Sequence, residues 1–168
     1  SDDLLLTVRS ALAGYQRDVE LESKIQAFEK FLPRSFLGML GARDYEDMAR
    51  SHGRERTLTI MFCDIRSFTT LSEGMSAQQA FDFVNAYLAV MGPAIRQQGG
   101  IIDKYIGDGI MALFERADDG LNAALAMQTA LKDFNQRRIM DFEPAISIGI
   151  GLNTGPVILG TIGESGRL

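Results

Sequence analysis

The chain has 168 residues, 46% of them hydrophobic and 23% charged, and a formal net charge of −5. That is an ordinary globular composition, long enough for one domain with a substantial core plus an extension. The acidic balance, with no long basic run, argues against nucleic acid or an anionic membrane as the main partner, but leaves room for a small anionic ligand.

Residues 4 to about 31 contain no proline and one glycine, Gly14. Leu5, Val8, Leu12, Tyr15 and Val19 are spaced as a coiled-coil seam, and Leu21, Ile25, Phe28 and Leu32 continue it in a different phase. Two readings follow: an amphipathic helix packed on its own domain, or a parallel dimer stalk relaying a signal from an unknown upstream sensor. Residues 1–32 are assigned to this helix. Pro33 suits the first turn of a short second helix and Gly41 its end, and residues 42–56 read as a polar junction with Arg43, Arg50, Arg54 and Arg56 solvated. Residues 33–56 thus join the stalk to a folded domain over 57–168. Ser1-Asp2-Asp3 reads as the start of a piece cut from a longer chain.

The folded domain begins with Thr57–Cys63, a continuous apolar run expected to be a strand buried on both faces. Cys63 is the only cysteine, so an intrachain disulfide is impossible, and its apolar setting makes it core filling. Ser67–Leu71 starts a short helical turn. Ser76 is an N-cap signal for a helix to about Gln98, with Phe81, Val84, Leu88, Met91 and Ile95 on one face. Ile101–Ile106 and Ile110–Phe114 are strands joined by Gly107-Asp108-Gly109, in which Asp-Gly marks a tight hairpin. Ala117 to about Arg138 is a second long helix, its Asp118 and Asp119 suited to the helix dipole. Ala145–Leu152 and Val157–Ile162 are strands separated by Asn153-Thr154-Gly155-Pro156. The order predicts an α+β, ferredoxin-like split β-α-β fold, with helices on one face of an antiparallel sheet.

Two acids stand out. Asp64 directly follows the first strand, and Asp108 sits at the hairpin tip with Lys104 four residues before it. In a split β-α-β sheet the first strand lies beside the hairpin, which brings the acids to one region. Two close carboxylates repel without a cation, and oxygen ligands suit Mg²⁺ or Mn²⁺ held together with substrate phosphates. Each acid also has a structural reading, Asp64 as a helix N-cap and Asp108 as a turn residue. His52 is the only histidine, which excludes a His-based triad or a multi-histidine zinc site. No apolar run approaches the roughly 20 residues of a membrane span, and no secretory signal is visible.

FCDIRSFT, IDKYIGDGIMALF and ISIGIGLNTGPVILGTIG together resemble the class III nucleotide cyclase catalytic domain, from about Thr57 to Ile162. FLPRSFLGMLG is similar to the segment that precedes many bacterial members. The resemblance implies conversion of a nucleoside triphosphate to its 3′,5′-cyclic monophosphate and pyrophosphate. It also implies a head-to-tail homodimer with composite active sites and two Mg²⁺ or Mn²⁺ ions per site. By position it makes Asp64 and Asp108 the metal-binding aspartates and Ile65 a backbone carbonyl ligand. Ser67, Phe68 and Thr69 fall in its phosphate-binding turn, with Ser67 where glycine is often found. Lys104 stands where adenylyl cyclases read adenine and where guanylyl cyclases carry glutamate, so ATP is the expected substrate and a cytoplasmic catalytic portion the expected location. The family's later asparagine and arginine, which stabilise the transition state, would fall beyond Leu168. The 168 residues alone are therefore expected to be inactive or nearly so. A guanylyl cyclase and a non-catalytic cyclase-like dimerisation module are the alternatives.

Overall fold

The computed structural model describes residues 12, 15–25, 37–39 and 53–160. Its elements run β1 (Arg54–Ile65), α1 (Phe68–Glu73), α2 (Ala77–Arg96), β2 (Ile101–Ile106), β3 (Gly109–Phe114), α3 (Ala117–Met140) and β4 (Ile148–Leu159). The strands form one antiparallel sheet in the order β2-β3-β1-β4. This is the expected ferredoxin-like split β-α-β arrangement.

One face of the sheet carries the main core. Met61, Cys63, Ile110, Ala112 and Phe114 are buried there against Tyr87, Met91 and Ile95 of α2 and Met127 and Phe134 of α3. Each of the buried Met, Ile and Phe side chains contributes about 1.5–3 kcal/mol, so this layer fixes the helices on the sheet. At the start of α2, the Ser76 Oγ accepts from the Gln79 N–H at 3.2 Å. The Ser76 N–H donates to Gln79 Oε1 at 2.8 Å, completing a capping box. The buried line of α2 runs through Phe83, Tyr87, Met91 and Ile95. Phe81, expected on that face, is 65% exposed. Asp118 and Asp119 do stand in the first turn of α3, where both pair with Arg116.

The second face is divided. Leu58, Leu113, Ile101 and Leu159 pack with Leu37 and Met39 into a smaller cluster. Further along β1 that face opens, and Phe62 is 52% exposed. The first strand is therefore covered on both faces only in its middle, over Leu58–Met61.

Pairing also corrects two boundaries. β1 begins at Arg54, because its ladder with β4 runs from Arg54↔Leu159 to Ile65↔Ile148. Arg54 and Arg56 thus belong to the strand rather than to the junction. β4 is one strand through the expected loop: Asn153 pairs with Ile60 and Pro156 with Thr57. Pro156 is tolerated because β4 lies at the edge of the described sheet, where a missing N–H costs no ladder bond on the outer side.

Residues 15–25 are helical, and Tyr15, Val19, Leu21 and Ile25 are exposed. Leu5, Val8, Phe28 and Leu32 of the seam lie outside the described residues, as do Pro33, Gly41, Arg43, Arg50, His52 and the last eight positions. Residues 37–39 of the expected short helix are helical. Among the described residues no helix is long and apolar enough to cross a membrane.

Gly100, between α2 and β2, shows how tight the core is. A Cβ there would lie 2.5 Å from Phe114 Cε1 and 2.6 Å from Ile95 Cγ2, and both side chains are fully buried. Gly100→Ala is expected to destabilise the domain by about 1–3 kcal/mol, measured as a lowered midpoint in urea unfolding.

Candidate active site

The site is built where β1 ends beside the β2–β3 hairpin. β2 and β3 close through Ile106↔Gly109, so the two turn residues are Gly107 and Asp108. Gly107, not Gly109, has the positive φ, 64°. The hairpin is thus a Gly-Asp turn with glycine first, rather than the Asp-Gly turn expected.

This places Asp108 beyond the last β1–β3 pair, Cys63↔Ile110. From there Asp108 Oδ2 accepts a hydrogen bond from the Ile65 N–H at 3.0 Å. The bond ties the hairpin tip to the residue that follows Asp64. Asp64 is exposed and Asp108 half-buried. Asp64, Ile65 and Asp108 are therefore brought together at one end of the sheet.

Lys104 reaches the same face by an irregularity. Ile102 pairs with Ala112, but Lys104 pairs with Met111, so Asp103 is an extra residue in β2. Met111 in turn pairs with Phe62. Residues directly opposite in a ladder share a face, and β1 alternates, so Lys104, Met111, Phe62 and Asp64 lie on the open side. With an unbroken register Lys104 would have stood opposite Ile110, on the helix-covered side. A β-bulge re-aims every side chain after it. It also brings together two neighbours that an unbroken strand would turn to opposite faces: Asp103 Oδ2 lies 3.0 Å from Lys104 Nζ. Asp103 is the residue of this region that sequence reasoning missed.

The chain leaves β1 through Arg66 and Ser67. The Arg66 N–H donates to the Ser147 carbonyl at 2.9 Å. Ser67 then adopts φ 57°, ψ 31°, the left-handed region, and α1 follows. The first N–H groups of a helix have no intrahelical partner, so the turn at Ser67, Phe68 and Thr69 presents donors. The Phe68 ring itself packs on Phe83, with centroids 6.2 Å apart, leaving only its backbone to face a ligand.

The charge of the acid pair is felt in the core behind it. Cys63 is buried and shares a 3.3 Å hydrogen bond with the Tyr87 hydroxyl. Burial pushes its thiol up to about 11, the Tyr87 bond opposes this, and Asp64 and Asp108 add to the rise. Tyr87 is pushed upward too, chiefly by burial and then by Cys63, with both aspartates contributing. A thiol held this far toward its neutral form is core filling, as expected, and not a nucleophile.

The donor set fits a hard cation. Asp64 and Asp108 offer carboxylate oxygens at one end of the sheet, beside the backbone of Ile65, and among the described residues no third His, Cys, Asp or Glu joins them. Mg²⁺ and Mn²⁺ bind in this way.

The sheet thus brings Asp64 and Asp108 to one end and sets Lys104 on the same open face as Asp64. The chain belongs to the adenylate and guanylate cyclase catalytic domain family, which it matches over residues 51–167. It is 43% identical over 155 residues to an adenylate cyclase of Anabaena cylindrica, a match covering 89% of this chain and 31% of that protein. Among solved structures, a bacterial light-regulated adenylyl cyclase superposes with a TM-score of 0.75 at 26% identity, covering 90% of this chain and 45% of that one. The guanylyl cyclase Cya2 superposes with a TM-score of 0.62 at 36% identity, covering 70% of this chain and 63% of that one. The chain spans less than a third of the length of the first curated relatives it matches.

Ser67 is a non-glycine residue with a positive φ, 57°, and that conformation carries a backbone cost. A left-handed residue other than glycine costs about 1–2 kcal/mol, and glycine returns about 0.5–1 kcal/mol in unfolded-chain entropy. Ser67→Gly is expected to stabilise the domain by about 0.5–1 kcal/mol, read as a raised Tm in calorimetry.

Proposed function

We propose that this chain is the catalytic part of an adenylyl cyclase that converts ATP to 3′,5′-cyclic AMP and pyrophosphate in signal transduction. The observation that carries the reading is the 3.0 Å bond from the Ile65 N–H to Asp108. It holds the hairpin tip against the end of β1, on the side where Lys104 emerges. In the reaction the ribose 3′-oxygen forms a bond to the α-phosphorus, the bond from that phosphorus to the α,β-bridging oxygen breaks to release pyrophosphate, and the hydroxyl proton passes to solvent.

Asp64, Asp108 and the Ile65 carbonyl are the residues that would hold two Mg²⁺ or Mn²⁺ ions. The chemistry such ions supply when bound is acidification of the 3′-hydroxyl and neutralisation of the triphosphate. The backbone donors of Ser67, Phe68 and Thr69 orient the phosphates. Lys104 donates to adenine N1, an acceptor. Guanine presents a donor there, which would call for a carboxylate.

Further parts of the reading concern assembly. The exposed Phe62 and Ile106 on the open face suit a surface completed by a second subunit, in a head-to-tail homodimer with shared sites. The exposed seam of residues 15–25 suits a parallel stalk over residues 1–32, joined by residues 33–56 to a catalytic unit over 57–168 and driven by an upstream sensor. A cytoplasmic catalytic portion fits this arrangement. A guanylyl cyclase is the second reading, favoured by the 36% identity to the guanylyl cyclase Cya2 and opposed by Lys104.

The test is an assay of the full-length parent with ATP and with GTP, in Mn²⁺ and in Mg²⁺. Cyclic AMP is the expected product. Asp64→Asn and Asp108→Asn are each expected to lower kcat by roughly 10²–10³-fold with the circular dichroism unchanged. Lys104→Glu should move preference from ATP toward GTP. Absence of cyclic AMP, or activity indifferent to Asp108→Asn, would overturn the proposal.

A further inference from the structure

Neighbouring residues of a strand normally point to opposite faces and do not meet. Asp103 and Lys104 do meet, at 3.0 Å, because the bulge between Ile102 and Lys104 inserts Asp103 as an unpaired residue. The Asp103 side chain is 24% exposed and that of Lys104 58% exposed. The carboxylate is the more anchored partner, and the ammonium stands out from it over the open face. We propose that Asp103 is a positioning residue that fixes Lys104 for reading the base, and so sets the preference for ATP over GTP; this rests on the assignment of Lys104 to adenine.

Three arguments support it. Lysine has a long flexible stem that must lose rotamer freedom to make a directed bond, and a stem already held binds at lower cost. An ammonium has three donors, so one bond to Asp103 leaves two for a purine acceptor. An ion pair this exposed contributes little to stability, so the fold does not need it. The pair therefore stands where it is informative rather than where it is stabilising, on the row Lys104–Met111–Phe62 that leads to Asp64.

The experiment uses the full-length parent and compares kcat and KM for ATP and GTP. The variants are Asp103→Ala, Asp103→Asn, Lys104→Ala and the double variant, with Tm recorded for each. Asp103→Ala is expected to raise KM for ATP about tenfold, the worth of a charged hydrogen bond, with kcat changed less than about twofold. The ratio of kcat/KM for ATP to that for GTP should fall about as much, with Tm unchanged. Asp103→Asn keeps an acceptor and should recover part of the loss. In the Lys104→Ala background Asp103→Ala should add nothing, since it acts through the lysine. An equal fall for both nucleotides, a lowered Tm with unchanged selectivity, or additive effects in the double variant would each overturn the inference. Selectivity that falls in Lys104→Ala but not in Asp103→Ala would overturn this inference alone. Selectivity unmoved by Lys104→Ala would overturn the adenine-reading role beneath it.

Discussion

The bond between the Ile65 N–H and Asp108 Oδ2 is the point on which the rest of the site depends. The β1–β3 ladder ends at Cys63↔Ile110, and past that pair there is no backbone partner to hold the hairpin tip in place. The Asp108 side chain takes over where the ladder stops. In doing so it brings a second carboxylate to the end of the strand that carries Asp64. Two acids so placed would repel unless hydrogen bonds or a cation offset them. The amide supplies one such bond, and the remaining carboxylate oxygen atoms stay available to a cation.

The sheet keeps its two tasks on separate faces. The helix-covered face holds the large buried residues, with Met61, Tyr87, Met91 and Phe114 entirely out of solvent. Its rigidity is what the open face relies on, because residues in one ladder row move together. The open face is itself split between the patch under Leu37 and Met39, against which Met111 packs, and the exposed Phe62 and Lys104. The electrostatic influence of Asp64 and Asp108 on Cys63 and Tyr87 shows that the faces are not insulated from each other. The acids are felt one layer down, where the thiol and the phenol stay neutral and are bonded to each other.

Much of this was legible in the chain. The α+β order followed from periodicity, the Ser76 cap from a serine just ahead of a helical apolar series, and the proximity of Asp64 and Asp108 from topology alone. The misreadings have physical causes. Asn153-Thr154-Gly155-Pro156 carries turn chemistry, yet twelve paired residues of β1 hold it extended. Arg54 and Arg56 look like junction residues, but a strand lengthens when its partner offers matching groups. Phe81 fits a helical apolar series as well as Phe83 does, and only packing against Phe134 and Phe68 selects between them. The bulge left no mark at all, since Asp103 is neither a glycine nor out of place by composition.

That bulge bears on how the chain tolerates change in length. Surface loops usually absorb insertions and deletions at little cost, and a two-stranded hairpin at a sheet edge would ordinarily be such a place. Here the count of residues between Ile102 and the turn decides which side of the sheet receives a charge. Removing a residue after Lys104, Tyr105 for example, would set Lys104 opposite Ile110 and turn it to the other side of the sheet, away from Phe62 and Asp64. In this segment the number of residues is as constrained as their identity.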